Sequence, residues 1–138
     1  METYKHASHA VGNNIWHFEW CTKYRYSMFR QPHYKNLMSI LLYEAANRYS
    51  MEVITLNVQP NHLHIIVSLP RGMTDIKAEQ LLKGYTSRLF FLVAPEARLR
   101  YPQGHLWSRG KFGITVGFRD LPYMVDYVNN QDMHHALA

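Results

Sequence analysis

The 138-residue chain carries 15 Lys and Arg against 10 Asp and Glu, a formal net charge of +5. Its length and its 47% hydrophobic content fit one globular domain spanning residues 1–138. The basic charge and the 14% aromatic content favour nucleic acid over other partners. The single cysteine excludes an internal disulfide, and the polar first 14 residues predict neither a signal peptide nor a membrane span, so we expect a cytoplasmic protein.

The N-terminal part predicts an arm, a strand and a loop. Residues 1–13 are expected to form a flexible arm, and residues 15–22 alternate as a half-buried strand does. The apolar set of this strand is Trp16, Phe18 and Trp20, opposed by His17, Glu19 and Cys21. In the loop that follows, basic side chains alternate with aromatic ones. Such a loop either holds DNA or caps the core. Its members are Lys23, Tyr24, Arg25, Tyr26, Phe29 and Arg30.

A helix and a hairpin come next. Pro32 opens a helix predicted to reach about Tyr49, and residues 51–58 form a second strand. The Pro60-Asn61 pair predicts the turn into a third strand.

The third strand places two histidines on one face. Because side chains alternate along a strand, Leu63 and Ile65 point toward the core while His62 and His64 point the other way. Imidazoles held side by side on a rigid element suit two ligands of one metal ion. The pair alone is equally compatible with two partly exposed histidines that bind nothing.

A second helix follows a cap at Thr74 or Asp75. The residues expected to face inward are Ala78, Leu81, Leu82, Tyr85, Leu89 and Val93. Gly84 costs about 1 kcal/mol relative to Ala inside a helix, so close backbone packing or a ligand is expected there. Lys83 and Arg88 lie outside the stripe, where they face phosphate or, more simply, water.

The last elements complete a known pattern. Residues 112–117 predict a fourth strand whose glycine-bearing face lets a backbone or ligand approach, and Asp120 caps a helix to about His135. The order of elements predicts an α+β, ferredoxin-like split βαβ fold, with helices on one face of an antiparallel sheet, the other face free, and a C-terminal helix in addition. Neighbouring first and third strands would then bring His17 or Glu19 beside the histidine pair as outer partners.

The C-terminal helix carries a phenol and an amide one turn apart. Tyr127 and Gln131 share a helix face, although either residue alone is ordinary on a helix surface. Two histidines and an amide oxygen form an incomplete metal site with room for phosphate oxygens. A phenol, with a pKa of roughly 10, needs such help to attack a phosphodiester and form phosphotyrosine.

Several motifs then resemble one family. His62-Leu63-His64 resembles the motif of HUH endonucleases, and five segments are similar to successive motifs of IS200/IS605 single-tyrosine transposases. These segments are Trp20–Arg25, Pro60–His64, Leu82–Arg88, Leu106–Gly110 and Tyr127–Gln131. The likeness runs in order from about residue 15 to residue 132. The chain departs from the commonest form at residues 111–114 and at Tyr26, which bears on DNA contacts and not on the chemistry.

The resemblance implies a transposase that cleaves and rejoins single-stranded DNA at insertion-sequence ends through a 5′-phosphotyrosine. It implies Tyr127 as nucleophile, Mg²⁺ or Mn²⁺ held by His62, His64 and Gln131, DNA with subterminal hairpins, and a homodimer without a nucleotide cofactor. The exposed face of the fourth strand also favours pairing between subunits. The expected DNA contacts are Lys23, Arg25, Arg30, Lys83, Arg88, Arg109 and Lys111.

Two alternatives remain open from the sequence. One is a non-catalytic ferredoxin-like module that binds nucleic acid by stacking, although histidines and glycines stand where its aromatics are needed. The other is a domesticated relative that cleaves repeats without moving an element.

Overall fold

The structure, a computed structural model, describes residues 14–131 and contains one four-stranded antiparallel sheet with three α-helices. The elements are β1 (Ile15–Cys21), α1 (Pro32–Arg48), β2 (Glu52–Val58), β3 (His62–Ser68), α2 (Asp75–Val93), β4 (Phe112–Thr115) and α3 (Leu121–Asn129). The sheet order is β2-β3-β1-β4, which confirms the ferredoxin-like α+β prediction. The predicted arm at residues 1–13, and His134 and His135, lie outside the described residues.

The register of β1 against β3 determines what lies near the histidines. The two strands are antiparallel neighbours, as predicted, with Glu19 opposite His64 and Cys21 opposite His62. The turn between β2 and β3 is closed by the backbone N–H of Gln59, which donates to the carbonyl of His62 at 2.8 Å. The histidine-bearing end of β3 is therefore fixed by a strand on each side.

One face of the sheet packs against α1 and α2. The strand residues of this core include Phe18, Trp20, Leu63, Ile65 and Val67, all of them buried. The helix α2 begins as predicted, because the Thr74 side chain accepts a hydrogen bond from the Lys77 backbone N–H at 3.1 Å.

The inward face of α2 differs from the prediction at its end. Its buried residues are Ala78, Leu82, Thr86 and Phe90, four residues apart. Val93 is 63% exposed, because the backbone leaves the helical conformation at Ala94 and the Ala94 side chain takes the buried position instead.

The second face of the sheet, which was expected to be free, is partly covered by α3. A smaller core joins the two layers, formed by Ile15, Ile54, Ile66, Val116, Leu121 and Val128. Within the described residues α3 ends at Asn129, and its predicted end at about His135 lies outside them. The Asn130 side-chain amide donates to the Asp126 carbonyl and carboxylate at 2.8 Å each. Side chains that bond nearby backbone groups compete with helix continuation.

Two further expectations in this region were wrong. The Asp120 side chain makes no capping hydrogen bond, because its backbone is already in the helical region. The glycine at position 113 does not admit a ligand; a Cβ there would lie 3.0 Å from the ring of Phe18, so the glycine accommodates that ring. No described helix is long and apolar enough to cross a membrane.

We predict that Leu63→Ala lowers the free energy of unfolding by about 2–5 kcal/mol, because Leu63 is fully buried and its removal leaves a cavity. Urea denaturation measures the change. The same substitution at Leu99, which is 85% exposed, should alter stability by less than about 0.5 kcal/mol. Equal effects at the two positions would show that β3 does not point Leu63 into the core.

Candidate active site

Three side chains on β1 and β3 form a group that fits a cation. One ligand atom each from Glu19, His62 and His64 lies within 4.8 Å of the other two. Imidazole nitrogen with carboxylate oxygen is a donor set that divalent metal ions accept. Glu19 was expected as an outer partner of the histidines; its carboxylate instead lies within ligand distance of them.

Neighbouring groups orient the first histidine. The Nδ1 atom of His62 lies 2.9 Å from the amide oxygen of Asn61, an oxygen that can only accept. The proton of the neutral ring is then on Nδ1, so Nε2 is the nitrogen of His62 that could bind a cation.

A third histidine, His17, lies behind the second. It is 2% exposed, and its Nε2 is 3.2 Å from Nδ1 of His64, with the two rings stacked at 5.4 Å between centroids. Burial lowers the pKa of His17, so its ring is neutral at neutral pH. The predicted proximity of His17 to the histidine pair is confirmed.

The candidate nucleophile lies over this group. The ring of Tyr127 is 6.3 Å from that of His64 and 6.4 Å from that of His17, and its side chain is 43% exposed. The helix that carries it is held to β2, where the Asn57 amide donates to the Val128 carbonyl at 2.7 Å. A single chain therefore brings the tyrosine of α3 to its own histidines.

Gln131 lies just beyond the end of α3 and is 1% exposed. Its amide nitrogen donates to the Tyr127 carbonyl at 3.3 Å. A metal ion would bind the amide oxygen and not this nitrogen. Its role as a metal ligand stays a prediction.

A cavity of about 480 Å³ opens beside the tyrosine. Its lining consists of His17, Glu19, Phe112, Ile114, Tyr123, Met124 and Tyr127. Phe112 and Tyr123 are 51% and 79% exposed, so aromatic surface borders the point where Tyr127 would meet a phosphate. Aromatic side chains of this kind are the usual stacking partners of unpaired bases.

A larger groove, of about 990 Å³, lies between α2 and the segment 103–110. The groups in its lining that can carry positive charge are Lys83, Arg88, Arg98, His105 and Arg109. Gly84 also lines it, and a Cβ at Gly84 would meet nothing within 4 Å. Close packing inside the protein therefore does not explain this glycine; it leaves the helix backbone open to the groove.

The predicted DNA contacts divide into exposed and internally paired groups. Arg88 and Arg109 are exposed in the groove. The expectation that Lys83 faces water was wrong, because its ammonium donates to the Glu79 carboxylate at 2.6 Å and to the carbonyls of Ser108 and Gly110. These bonds fasten α2 to the loop that forms the other wall of the groove.

Lys111 is also engaged within the chain. Its ammonium lies 2.9 Å from the Asp75 carboxylate, and the hydrogen bond between them lowers the pKa of Asp75. Lys111 therefore connects the start of β4 to the start of α2.

The basic-aromatic loop forms a separate surface. Arg25 and Arg30 are exposed and line a cavity of about 550 Å³ together with Arg100. Phe29 is 1% exposed and completes the core, whereas the Tyr24 ring is 51% exposed, with the Lys23 ammonium 5.6 Å from its centroid. Phe29 thus has the expected role of capping the core, and the exposed Tyr24 and Arg25 have the exposure that the expected DNA contact needs.

Comparison with known proteins gives concordant matches. The family model described as "Transposase IS200 like" matches residues 10–131. The ISDra2 transposase TnpA of Deinococcus radiodurans is 28% identical over 116 residues, which cover 84% of this chain and 82% of that protein.

Two solved structures share the fold. A 1.90 Å crystal structure of a protein from Deinococcus radiodurans R1, assigned as a transposase, has a TM-score of 0.69 and 24% identity, and the match covers 88% of this chain and 92% of the other. A REP-associated tyrosine transposase bound to a REP hairpin has a TM-score of 0.67 and 17% identity, and the match covers 93% of this chain and 72% of the other.

We predict that Glu19→Gln weakens Mn²⁺ binding at least tenfold and that His64→Ala removes it, because each change takes a donor from the cluster. Isothermal titration calorimetry measures both. Glu44→Gln, an exposed change on α1, serves as the matched control and should leave affinity unchanged. Equal affinities for Glu19→Gln and the control would remove Glu19 from the ligand set.

Proposed function

Because this chain belongs to the family of IS200-like transposases, we propose that it cleaves and rejoins single-stranded DNA at insertion-sequence ends through Tyr127. The observation that carries the proposal is the position of Tyr127 above His64, on the same side of the sheet as the Glu19, His62 and His64 cluster. A module that only binds DNA by stacking needs neither a donor cluster nor a phenol beside it, so this convergence favours the enzyme.

The divalent ion, Mg²⁺ or Mn²⁺, would be held by His62, His64 and Glu19, with the Gln131 amide oxygen as a further ligand. The donor chemistry fits, since imidazole nitrogens and a carboxylate oxygen from these three residues lie within 4.8 Å of one another. When bound, the ion withdraws charge from the scissile phosphate and stabilises the leaving oxygen.

The covalent step belongs to Tyr127. Its phenolic oxygen attacks phosphorus in line, the bond from phosphorus to the 3′ oxygen breaks, and a 5′-phosphotyrosine and a free 3′-hydroxyl result. The phosphotyrosine retains the energy of the phosphodiester, so rejoining by attack of a 3′-hydroxyl needs no nucleotide cofactor. The exposed Tyr127 ring and the cavity beside it give a DNA strand access to this oxygen.

The DNA substrate is proposed to carry subterminal hairpins. The groove beside Gly84 supports this, because exposed Arg88 and Arg109 supply charge for phosphates and the glycine permits close approach to the helix backbone. A fold relative is bound to a REP hairpin, and a domesticated role in cleaving repeats would use the same chemistry.

We also propose a homodimer that acts in the cytoplasm at the nucleoid, each subunit being one domain of residues 1–138. The strand β4 lies at an edge of the sheet, where backbone groups of an edge strand can pair with a strand of a second subunit.

We predict that Tyr127→Phe abolishes a denaturant-resistant adduct with single-stranded hairpin DNA in Mn²⁺, because the attacking oxygen is lost, while DNA binding is kept. A denaturing gel detects the adduct. Tyr43→Phe, at an exposed position on α1, should form it normally. An adduct that survives Tyr127→Phe, or that depends on Tyr123 instead, would contradict the assignment.

We predict that Arg88→Ala weakens hairpin DNA binding and reduces the slope of log affinity against log salt by about 1, as loss of one phosphate contact requires. Fluorescence anisotropy at several salt concentrations measures the slope. Arg71→Ala, a change at another exposed arginine outside the groove, should leave the slope unchanged. Identical slopes for both variants would place the DNA elsewhere.

A further inference from the structure

We propose that His17 is a positioning residue that sets which nitrogen of His64 is available to a cation. The inference rests on the proposed metal centre, and it assigns a role to a buried histidine that the cleavage chemistry does not itself require. His17 lies on β1 between Trp16 and Phe18, on the same sheet face as His64.

Distances select His17 as the group that orients His64. The Nε2 atom of His17 lies 3.2 Å from Nδ1 of His64, within hydrogen-bonding range. The Glu19 carboxylate lies 3.8 Å from the same nitrogen, which is too far for a hydrogen bond. His17 therefore lies within hydrogen-bonding distance of this nitrogen, and Glu19 does not.

The number of protons on the two rings determines which histidine donates the hydrogen bond between His17 and His64. A neutral imidazole carries one N–H, so a single proton lies between the two facing nitrogens. If His17 donates, His64 carries its own proton on Nε2 and has no lone pair to offer an ion. If His64 donates from Nδ1 to Nε2 of His17, the Nε2 lone pair of His64 is left for the ion. Metal binding therefore requires His17 to accept.

The packing of His17 supports a positioning role. Its ring is held by the stacked His64 ring, by the edge of Phe112 at 6.0 Å and by that of Tyr127 at 6.4 Å. Its Nδ1 is buried and has no hydrogen-bond partner among the described residues. In the metal-binding arrangement this nitrogen carries the proton, so an N–H is left unpaired in the interior. An apolar side chain would avoid that cost but could not accept the His64 proton.

The test compares two substitutions at position 17 by Mn²⁺ titration calorimetry. His17→Phe keeps a ring but cannot accept a hydrogen bond, and we expect affinity to fall about 10–100-fold. His17→Gln places an amide oxygen where Nε2 stood, and we expect affinity to return to within a few-fold of wild type. His33→Phe, an exposed change on α1, is the matched control, and thermal unfolding checks that each variant folds.

The outcomes separate this inference from the metal site itself. Wild type that binds no Mn²⁺ would overturn both the metal centre and the role of His17. Wild-type affinity in His17→Phe, or no rescue by a folded His17→Gln, would overturn the positioning role alone. Electron spin echo spectroscopy measures the number of imidazoles bound to Mn²⁺, and we expect two. Three bound imidazoles would show that His17 is itself a ligand and would overturn the positioning role.

A measurement on the unmodified chain covers the case in which His17→Phe does not fold. Two-bond ¹H–¹⁵N spectra of the Mg²⁺-loaded protein report the proton position in each histidine. We expect His64 to be protonated on Nδ1 and His17 also on Nδ1. A His64 ring protonated on Nε2 would overturn the proposal.

Discussion

The alternation of side chains along β3 is the constraint on which the rest of the site depends. Leu63 is fully buried between α1, α2 and the sheet, and this forces His62 and His64 onto the opposite face. A register slip of one residue would exchange the two sets, placing imidazoles in the apolar core and Leu63 on the face that carries Glu19. Hydrophobic burial on one face thus fixes polar geometry on the other.

The antiparallel pairing of β1 with β3 extends this constraint to three more groups. Glu19 lies opposite His64, His17 makes contact with His64 through Nε2, and α3 closes the face by packing Val128 and Leu121 on Ile66. The tyrosine is held by the apolar side of its own helix, so the same small core that closes the sheet places the phenol. Cations on the other layer, Lys83 and Lys111, connect elements rather than meet solvent.

Sequence patterns predicted the features that follow from local periodicity. The alternation of side chains in β1 and β3 predicted the correct sheet faces for Leu63, His62 and His64. The order of elements predicted that β1 and β3 are neighbours in an antiparallel sheet. Other features depend on tertiary contacts that periodicity does not contain. The glycine at position 113 accommodates the ring of Phe18, and Lys83 donates hydrogen bonds to two carbonyls 25 and 27 residues away. The pairing register of β1 with β3 places Glu19 in the donor cluster. At the end of α3 the Asn130 side-chain amide bonds to Asp126, a contact that helical propensity does not reveal.

The central claim is that imidazoles from a sheet and a phenol from the last helix meet at one cation within a single chain. Anomalous diffraction from a crystal grown with Mn²⁺ tests it most directly. We expect one strong peak in contact with His62, His64 and Glu19, on the side of the sheet that Tyr127 covers. A peak bound elsewhere, or a cluster that stays empty at saturating Mn²⁺, would contradict it.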